Sequence, residues 1–268
     1  MTAERIRAHK AIAAAGLASR REAERMIQAG LVRINGEVVR EPGASVVPGE
    51  DTLELDGTVV PLEQAQKREL WALYKPRDCV STLHDPEGRP TLKDFFPRSA
   101  ARLFPIGRLD YDAEGLILLT NDGALAHQIA HPSFQVRKTY LVKVKGLVPP
   151  EALSRLGQGP VLEGRPRSPV RARVLHTIND KTWLEVTLTE GIQHHIKKMF
   201  AAEGHRVLKI KRFQIGAITL EEMQPGDCRR LSEQDIEALL QPAPKGRRRA
   251  GAKGPSHAPK GAPRRARR

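Results

Sequence analysis

Near the middle of the chain, Gly107-Arg108-Leu109-Asp110-Tyr111-Asp112-Ala113-Glu114-Gly115 places three carboxylates at alternate positions and runs straight into Leu116-Ile117-Leu118-Leu119-Thr120. The bounding glycines argue against a helix interior, and the continuous apolar run reads as a buried strand. In an extended backbone, alternate residues share a face. Asp110, Asp112 and Glu114 would then repel one another unless a basic group faces them. A carboxylate held where a buried strand begins is also costly without a partner. The fold is therefore expected to bring a cation to this stretch from elsewhere in the chain.

Other readings of the same residues are open at this level. Asp110-x-Asp112-x-Glu114-Gly115 matches the opening of a calcium-binding EF-hand loop, but the twelfth position, which requires a bidentate Glu, is Asn121. The residues after Gly115 also look like a strand and not a helix. A solvated acidic turn is the plain alternative. An acid/base pair for glycoside hydrolysis would need carboxylates spaced across a sugar, whereas residues two apart on one strand aim the same way.

The chain of 268 residues has room for one large domain and a small one. No early apolar run reaches the length of a signal or membrane segment. Cys79 and Cys228 are too far apart in sequence to suggest a disulfide framework or a Cys-x-x-Cys metal site, so a reducing cytoplasm is the expected setting. The net charge is +14, yet residues 242–268 hold ten of the 45 Lys and Arg and none of the 31 acids, which leaves +4 for the rest. This tail reads as disordered and basic, and it suits an anionic polymer partner or a solubilising role.

In residues 4–16, Ile6, Ile12 and Ala13, with Leu17 just beyond, suit a short amphipathic helix. Ser19-Arg20-Arg21-Glu22 forms a capping box that opens a second helix. Ala23, Met26 and Ile27 make its inner stripe, and Gly30 is placed to end it. Asn35-Gly36 between Leu31–Ile34 and Glu37–Val39 is a strong hairpin signal. Arg20, Arg21 and Arg25 cluster at one helix start, where backbone N–H groups also favour phosphate. The segment 63–68 is polar and aperiodic and reads as a linker.

Beyond it, strands are expected at Leu70–Tyr74, Lys138–Val144, Val170–Leu175, Trp183–Leu188, Val207–Ile210 and Ala217–Leu220. Helices are expected at Ala124–Ile129, at 150–156, over Ile192–Glu203, and from a Ser232 cap to Leu240. Strands outnumber helices and mostly alternate, so the class is α+β, with a mainly antiparallel mixed sheet and flanking helices.

Two separated signatures carry a family resemblance. Gly107-Arg108-Leu109-Asp110 with Glu114-Gly115, the aliphatic run and Thr120-Asn121-Asp122-Gly123 resembles the catalytic-aspartate motif of the RsuA/RluB family of ribosomal RNA pseudouridine synthases. Glu190-Gly191 through His195-Ile196-Lys197-Lys198-Met199 is similar to that family's second signature. The stretch from His9 to Val39 resembles an S4 RNA-binding domain. The organisation implied is an S4 domain over 1–62, a linker at 63–68, a catalytic domain over 69–241 and the tail at 242–268.

The resemblance implies that Asp110 is the catalytic carboxylate and that Lys197 pairs with it. It further implies that Tyr140 of Lys138-Thr139-Tyr140 stacks on an everted uracil, since a base inside folded RNA must be flipped out to be reached. Arg108 is expected to contact RNA backbone, as are Arg20, Arg21 and Arg25. Arg212, in Ile210-Lys211-Arg212-Phe213-Gln214-Ile215-Gly216, is expected to be structural or RNA-facing.

Isomerising uridine breaks the N1–C1′ bond and rejoins the base through C5, with no redox change and no atoms gained, so neither cofactor nor metal is expected. His194-His195 lacks a third metal ligand. Two departures from the family pattern, His195 in place of Gln and Ile192-Gln193 in place of a more basic pair, leave substrate contacts there open. The implied partner is ribosomal RNA or a ribosomal precursor particle, bound by a monomer with no membrane association. His131-Pro132-Ser133 and the Lys138–Val144 strand resemble the large-subunit branch more than the small-subunit branch. A small-subunit enzyme and a catalytically inactive assembly factor are the alternatives.

Overall fold

A computed structural model describes residues 5–62, 67–96 and 102–241. The N-terminal part comprises β1 (Ile6–Arg7), α1 (Ala8–Ala14), α2 (Arg20–Ala29), β2 (Val32–Ile34), β3 (Glu37–Val39), β4 (Ser45–Val46), β5 (Leu53–Leu55) and β6 (Thr58–Val59). β1 pairs with β4, and the others form a four-stranded sheet in the order β3-β2-β5-β6. Ala8, Ile12, Ala23, Ile27, Val32 and Leu53 are fully buried in its core. The small side chains of Ala8 and Ala11 on α1 and Ala23 on α2 are buried in the same core.

Local chemistry accounts for the boundaries. Ser19 and Glu22 exchange side-chain-to-backbone hydrogen bonds of 3.2 Å each, satisfying early amides of α2. Gly30 closes the helix in the left-handed region at φ 78°. Asn35 and Gly36, at φ 52° and 83°, turn β2 into β3 with the twist that two-residue hairpins require. The first helix is shorter than its periodicity suggested. Ile6 is drawn into a strand with Val46, and Leu17, expected on the inner face, is exposed because the chain has already left the helix.

The larger part comprises β7 (Leu70–Lys75), β8 (Phe104–Ile106), β9 (Glu114–Thr120), α3 (Gly123–Ala130), β10 (Lys138–Lys145), α4 (Pro150–Gln158), β11 (Val161–Leu162), β12 (Arg165–Pro166), β13 (Arg171–Thr177), β14 (Lys181–Leu188), α5 (His195–Ala202), β15 (Val207–Ile215), β16 (Ile218–Thr219), β17 (Cys228–Arg230) and α6 (Glu233–Leu240). Its main sheet runs β13-β14-β10-β15-β9-β7-β17, with β16 beside β15 and β8 beside β9. Among the described residues, every neighbour pair in it is antiparallel except β9 with β15, which run parallel at Lys211↔Glu114 and Arg212↔Gly115. The fold is thus α+β with a mainly antiparallel mixed sheet.

That parallel junction positions the acidic stretch. β7 occupies one edge of β9 along Gly115–Thr120, so the other edge is shared by β15 near Glu114 and by β8 from Leu118 onward. The loop from β8 to β9, residues 107–113, therefore emerges where the two halves of the sheet meet. One core packs Val142, Val144, Leu184 and Val186 against α4 and α5. Another packs Leu116 and Leu118 against α3 and α6.

Gly115 is required at this junction. It lies at φ 123°, and a Cβ there would meet the backbone carbonyl oxygen of Arg212 and come within 2.6 Å of its nitrogen. Backbone cannot move aside as a flexible side chain can. Gly115→Ala is expected to destabilise the chain by about 2–4 kcal/mol, the range for overpacking plus strain at a special backbone position. A chemical-denaturation midpoint equal to that of the wild type would contradict this.

Three further expectations need correction. The helix read over Ile192–Glu203 begins only at His195, because the preceding residues turn through a left-handed His194 at φ 56°. The strand read as Val207–Ile210 continues to Ile215, since Lys211, Arg212 and Gln214 keep the ladder although their polarity hid it. The strand read as Ala217–Leu220 shortens to Ile218–Thr219. The hairpin Val161–Pro166 and the edge strand Cys228–Arg230 are too short and polar to register in a hydrophobic pattern. Residues 63–66 of the linker and the tail at 242–268 lie outside the described residues. Among the described residues, no helix is long and apolar enough to cross a membrane.

Candidate active site

The three carboxylates do not form the alternating face expected of an extended strand. Asp110 to Ala113 is a tight turn, closed by the Ala113 amide donating to the Asp110 carbonyl at 3.1 Å, and only Glu114 enters β9. The turn is nevertheless met by bases. Lys197 Nζ lies 3.2 Å from Asp110 Oδ2, and 2.7 and 3.0 Å from the two oxygens of Asp112. Lys209 Nζ lies 2.9 Å from Glu114 Oε1. His194 Nδ1 is 3.2 Å from the same Asp110 oxygen that faces Lys197.

The turn is pinned from below. Lys75, fully buried, donates from Nζ to the carbonyls of Ala113 at 2.8 Å, Pro76 at 2.9 Å and Tyr111 at 3.4 Å. A buried ammonium needs such acceptors, and two of these three belong to the turn. Ser81 clamps Leu109 on both sides: its hydroxyl donates to the Leu109 carbonyl at 2.7 Å and accepts from the Leu109 amide at 3.0 Å. Leu109 and Ala113 bury their side chains in the α5-facing core. Asp110 is left between two anchored neighbours with its carboxylate facing outward.

Lys197 arrives by helix geometry. Ile196, Met199 and Phe200 bury one face of α5, which leaves Lys197 on the flank toward the turn. Burial alone would lower its pKa, but hydrogen bonds and charge from Asp112 and Asp110 raise it. For Asp112, burial pushes upward, and the hydrogen bond and charge of Lys197 outweigh it, holding the carboxyl below its ordinary value. The two shifts agree in direction with an ion pair between Lys197 and Asp112.

Asp110 and Arg108 line a cleft of about 390 Å³ whose other walls include Tyr140, His195 and Arg212. Lys197 and Asp112 flank Asp110 and are not part of the lining. Tyr140 is opposite Arg212 in the β10–β15 ladder, at a bulge. The Arg212 guanidinium carbon lies 5.9 Å from its ring centroid. Arg212 is only 5% exposed. Its Nε donates to the Leu116 carbonyl at 2.6 Å, while its Nη2 is buried without a hydrogen-bond partner. Arg212 is therefore a buried wall of the cleft.

His195 is also buried in the wall, with neither ring nitrogen hydrogen-bonded; burial lowers its pKa and favours the neutral ring. Among the described residues, no group of His, Cys, Asp and Glu is arranged to hold a metal ion.

Lys138 lines the same cleft. It is buried, donates to the Ile129 carbonyl at 2.9 Å, and has its pKa pushed down to about 8, first by burial and then by the charge of Arg212. A lysine depressed in this way binds fewer protons folded than unfolded between about pH 8 and 10.4, so stability rises with pH across that window. Lys138→Met is expected to gain about 1–2 kcal/mol at pH 7, after the lost hydrogen bond is allowed for, and the gain should vanish near pH 10. Thermal melts of both proteins at the two pH values test this; a gain that grows with pH would contradict it.

Arg20, Arg21 and Arg25 are exposed on the first two turns of α2 and do not line the cleft. Arg20 reaches the start of α3, where a Cβ on Gly123 would lie 3.1 Å from its Nη2. The structure thus brings Asp110, Lys197, Tyr140, Arg108 and Arg212 together and leaves the α2 arginines on a separate surface. Sequence reasoning missed His194 as a member of the cluster and named Asp112 only as part of the acidic run. The acidic spacing signalled Asp112, whereas nothing local signalled that a left-handed turn would carry the His194 ring to Asp110.

Comparison with known proteins adds an independent line. Residues 69–202 match the family described as RNA pseudouridylate synthase, and residues 6–51 match the S4 domain. The chain is 41% identical over 235 residues to ribosomal large subunit pseudouridine synthase B of Bacillus subtilis, covering 87% of this chain and 95% of that protein. It is 40% identical over 236 residues to an uncharacterized RNA pseudouridine synthase of Aquifex aeolicus, covering 88% and 94% of the two chains. A solved structure titled as a pseudouridylate synthase superposes with a TM-score of 0.63 at 32% identity, covering 87% of this chain and 99% of the other.

Proposed function

The chain belongs to the RNA pseudouridylate synthase family, and from that premise we propose that it converts a uridine of large-subunit ribosomal RNA to pseudouridine, with Asp110 as the acting carboxylate. The observation that carries this reading is the Asp110 carboxylate on a cleft wall beside Tyr140, with the Lys197 ammonium 3.2 Å from it. The name of the Bacillus subtilis relative supports the large-subunit assignment.

The chemistry asks little beyond this arrangement. The N1–C1′ bond breaks, the freed uracil turns, C5 bonds to C1′, a proton leaves C5 and N1 takes one up. The acting carboxylate needs a counter-ion inside the cleft wall, and the Lys197 ammonium 3.2 Å from Asp110 Oδ2 supplies it. The base must be taken out of its stack, and a partly buried tyrosine on the cleft wall offers a flat apolar face for it. Arg108, exposed at the rim, is placed to meet the backbone of the everted nucleotide. The exposed arginines of α2 supply positive charge for RNA further out, of the kind that positions a nucleic acid without reading its sequence.

Pseudouridine mapping of ribosomal RNA from cells with and without the gene tests the proposal. One modified position in the large-subunit RNA should disappear on deletion and return with the wild-type gene. Loss from the small-subunit RNA would move the substrate to the other subunit, and an unchanged map would leave an RNA-binding assembly role in place of an enzyme.

A further inference from the structure

At the rim of the cleft, three exposed rings cluster without belonging to any of the buried cores. Ile129, Ala130 and Lys138 line the cleft, and the chain between the last two makes an excursion at its edge. Residues 130–135 and Arg137 are all exposed. The rings of His127 and His131 stack with centroids 4.8 Å apart and planes at 27°. Phe134 meets His127 edge-on at 5.7 Å and is 47% exposed. In a chain with 4% aromatic residues, this is an unusual place to leave a phenylalanine.

The cluster is held in position. The Ser133 amide donates to His131 Nδ1 at 3.3 Å, and the Ser133 hydroxyl lies 2.8 Å from the same nitrogen. The Gln135 side chain donates to the Pro132 carbonyl at 2.8 Å. A ring already fixed costs little further entropy when a planar ligand settles on it.

We propose that His127, His131 and Phe134 form a stacking platform for an unpaired base that flanks the everted uridine. The inference rests on the function proposed above. Everting one nucleotide removes a stacking partner from its neighbours, at a cost that a nearby aromatic face can repay. The platform neighbours Ala130, which lines the cleft, so a base flanking the everted uridine is the occupant within reach. Stacking accepts any base, because every base has a flat face. The platform would therefore recognise the unpaired state of the neighbour and leave its identity unread. It would favour loops and bulges over continuous duplex, in keeping with how single-stranded RNA is generally recognised.

The test uses the full chain and two RNA hairpins of one sequence design, each holding a uridine in the same context. In one, the uridine is flanked by a single unpaired 2-aminopurine; in the other, that base is paired. The wild type should bind the unpaired hairpin roughly ten-fold more tightly and quench its 2-aminopurine fluorescence, as expected for one stacked base. Phe134→Ala should erase both effects, Phe134→Trp should retain them, and Phe134→Leu should behave like the alanine variant. Thermal melts of the variants confirm folding.

Equal wild-type affinity for both hairpins, or an unchanged preference in Phe134→Ala, overturns the platform. Retention of the preference by Phe134→Leu also overturns it, because the contact would then be apolar docking of the kind a protein partner could share. The binding comparison needs no turnover. An inactive wild type that still prefers the unpaired hairpin would sink the proposed function and leave the platform standing.

Discussion

Asp110→Asn is expected to abolish release of tritium from 5-tritiated uridine in ribosomal RNA while leaving RNA affinity within a few-fold. The substitution keeps the shape of the side chain and removes its charge. The surrounding turn does not depend on that charge. Lys75 and Ser81 hold it through the carbonyls of Tyr111 and Ala113 and through both backbone groups of Leu109. Lys197 would retain Asp112, 2.7 Å away. A melting temperature close to that of the wild type should therefore accompany an activity loss on the order of 10³-fold or more, the scale on which removal of an acting group is felt. Activity within ten-fold of the wild type would assign the chemistry to another residue.

The second large effect is expected at Lys197. Lys197→Met places an uncharged side chain beside two carboxylates, 3.2 Å from Asp110 and 2.7 Å from Asp112 in the wild type. Among the described residues, the ion-pair partner left to Asp110 would then be His194, whose ring is cationic only when protonated. The loss is expected to be about 10²–10³-fold in kcat, comparable to the removal of one electrostatic stabiliser in other active sites. Lys197→Arg should recover most of it, because the charge is restored even though the geometry is not. Recovery in the arginine variant separates an electrostatic role from simple filling of space.

The pH behaviour follows from the directions of the two shifts. Lys197 has a raised pKa, so its contribution to stability is complete below the ordinary lysine value and is lost as pH rises through the raised one. Asp112 has a lowered pKa, so its contribution is present above the ordinary carboxylate value and is lost as pH falls through the lowered one. The ion pair is therefore intact across the whole neutral range. Loss of activity between about pH 6 and 9 would have to come from another group, since both partners titrate outside that window.

What could be read from the sequence divides by distance along the chain. The Ser19–Glu22 box, the Gly30 cap and the Asn35-Gly36 turn are local devices, and each forms where its residues predict. The acidic spacing from Asp110 to Glu114 correctly demanded bases, but the backbone it implied was wrong. Leu109 and Ala113 bury their side chains while Lys75 gathers the carbonyls between them, and together these bend the segment into a turn. The meeting of Asp110 with Lys197 could be named only through family resemblance. It depends on the parallel contact of β9 with β15 and on the pitch of α5, neither of which is written in a short window.

His194 shows the limit most sharply. As one of two adjacent histidines it suggested only a metal site lacking a third ligand. Its left-handed backbone delays the start of α5 and turns its ring to Asp110. Arg212 was legible as a motif residue but not as a buried one, because its burial comes from Leu116 and the Gly115 junction, almost a hundred residues upstream.

Nucleoside analysis after a single turnover weighs hardest on the assignment of Asp110. Wild type and Asp110→Asn are each loaded to the same occupancy on a large-subunit ribosomal RNA transcript, and the RNA is digested and its pseudouridine counted. One pseudouridine per bound RNA from the wild type and none from Asp110→Asn is the result expected here. Pseudouridine formed by the asparagine protein at the wild-type rate would contradict it.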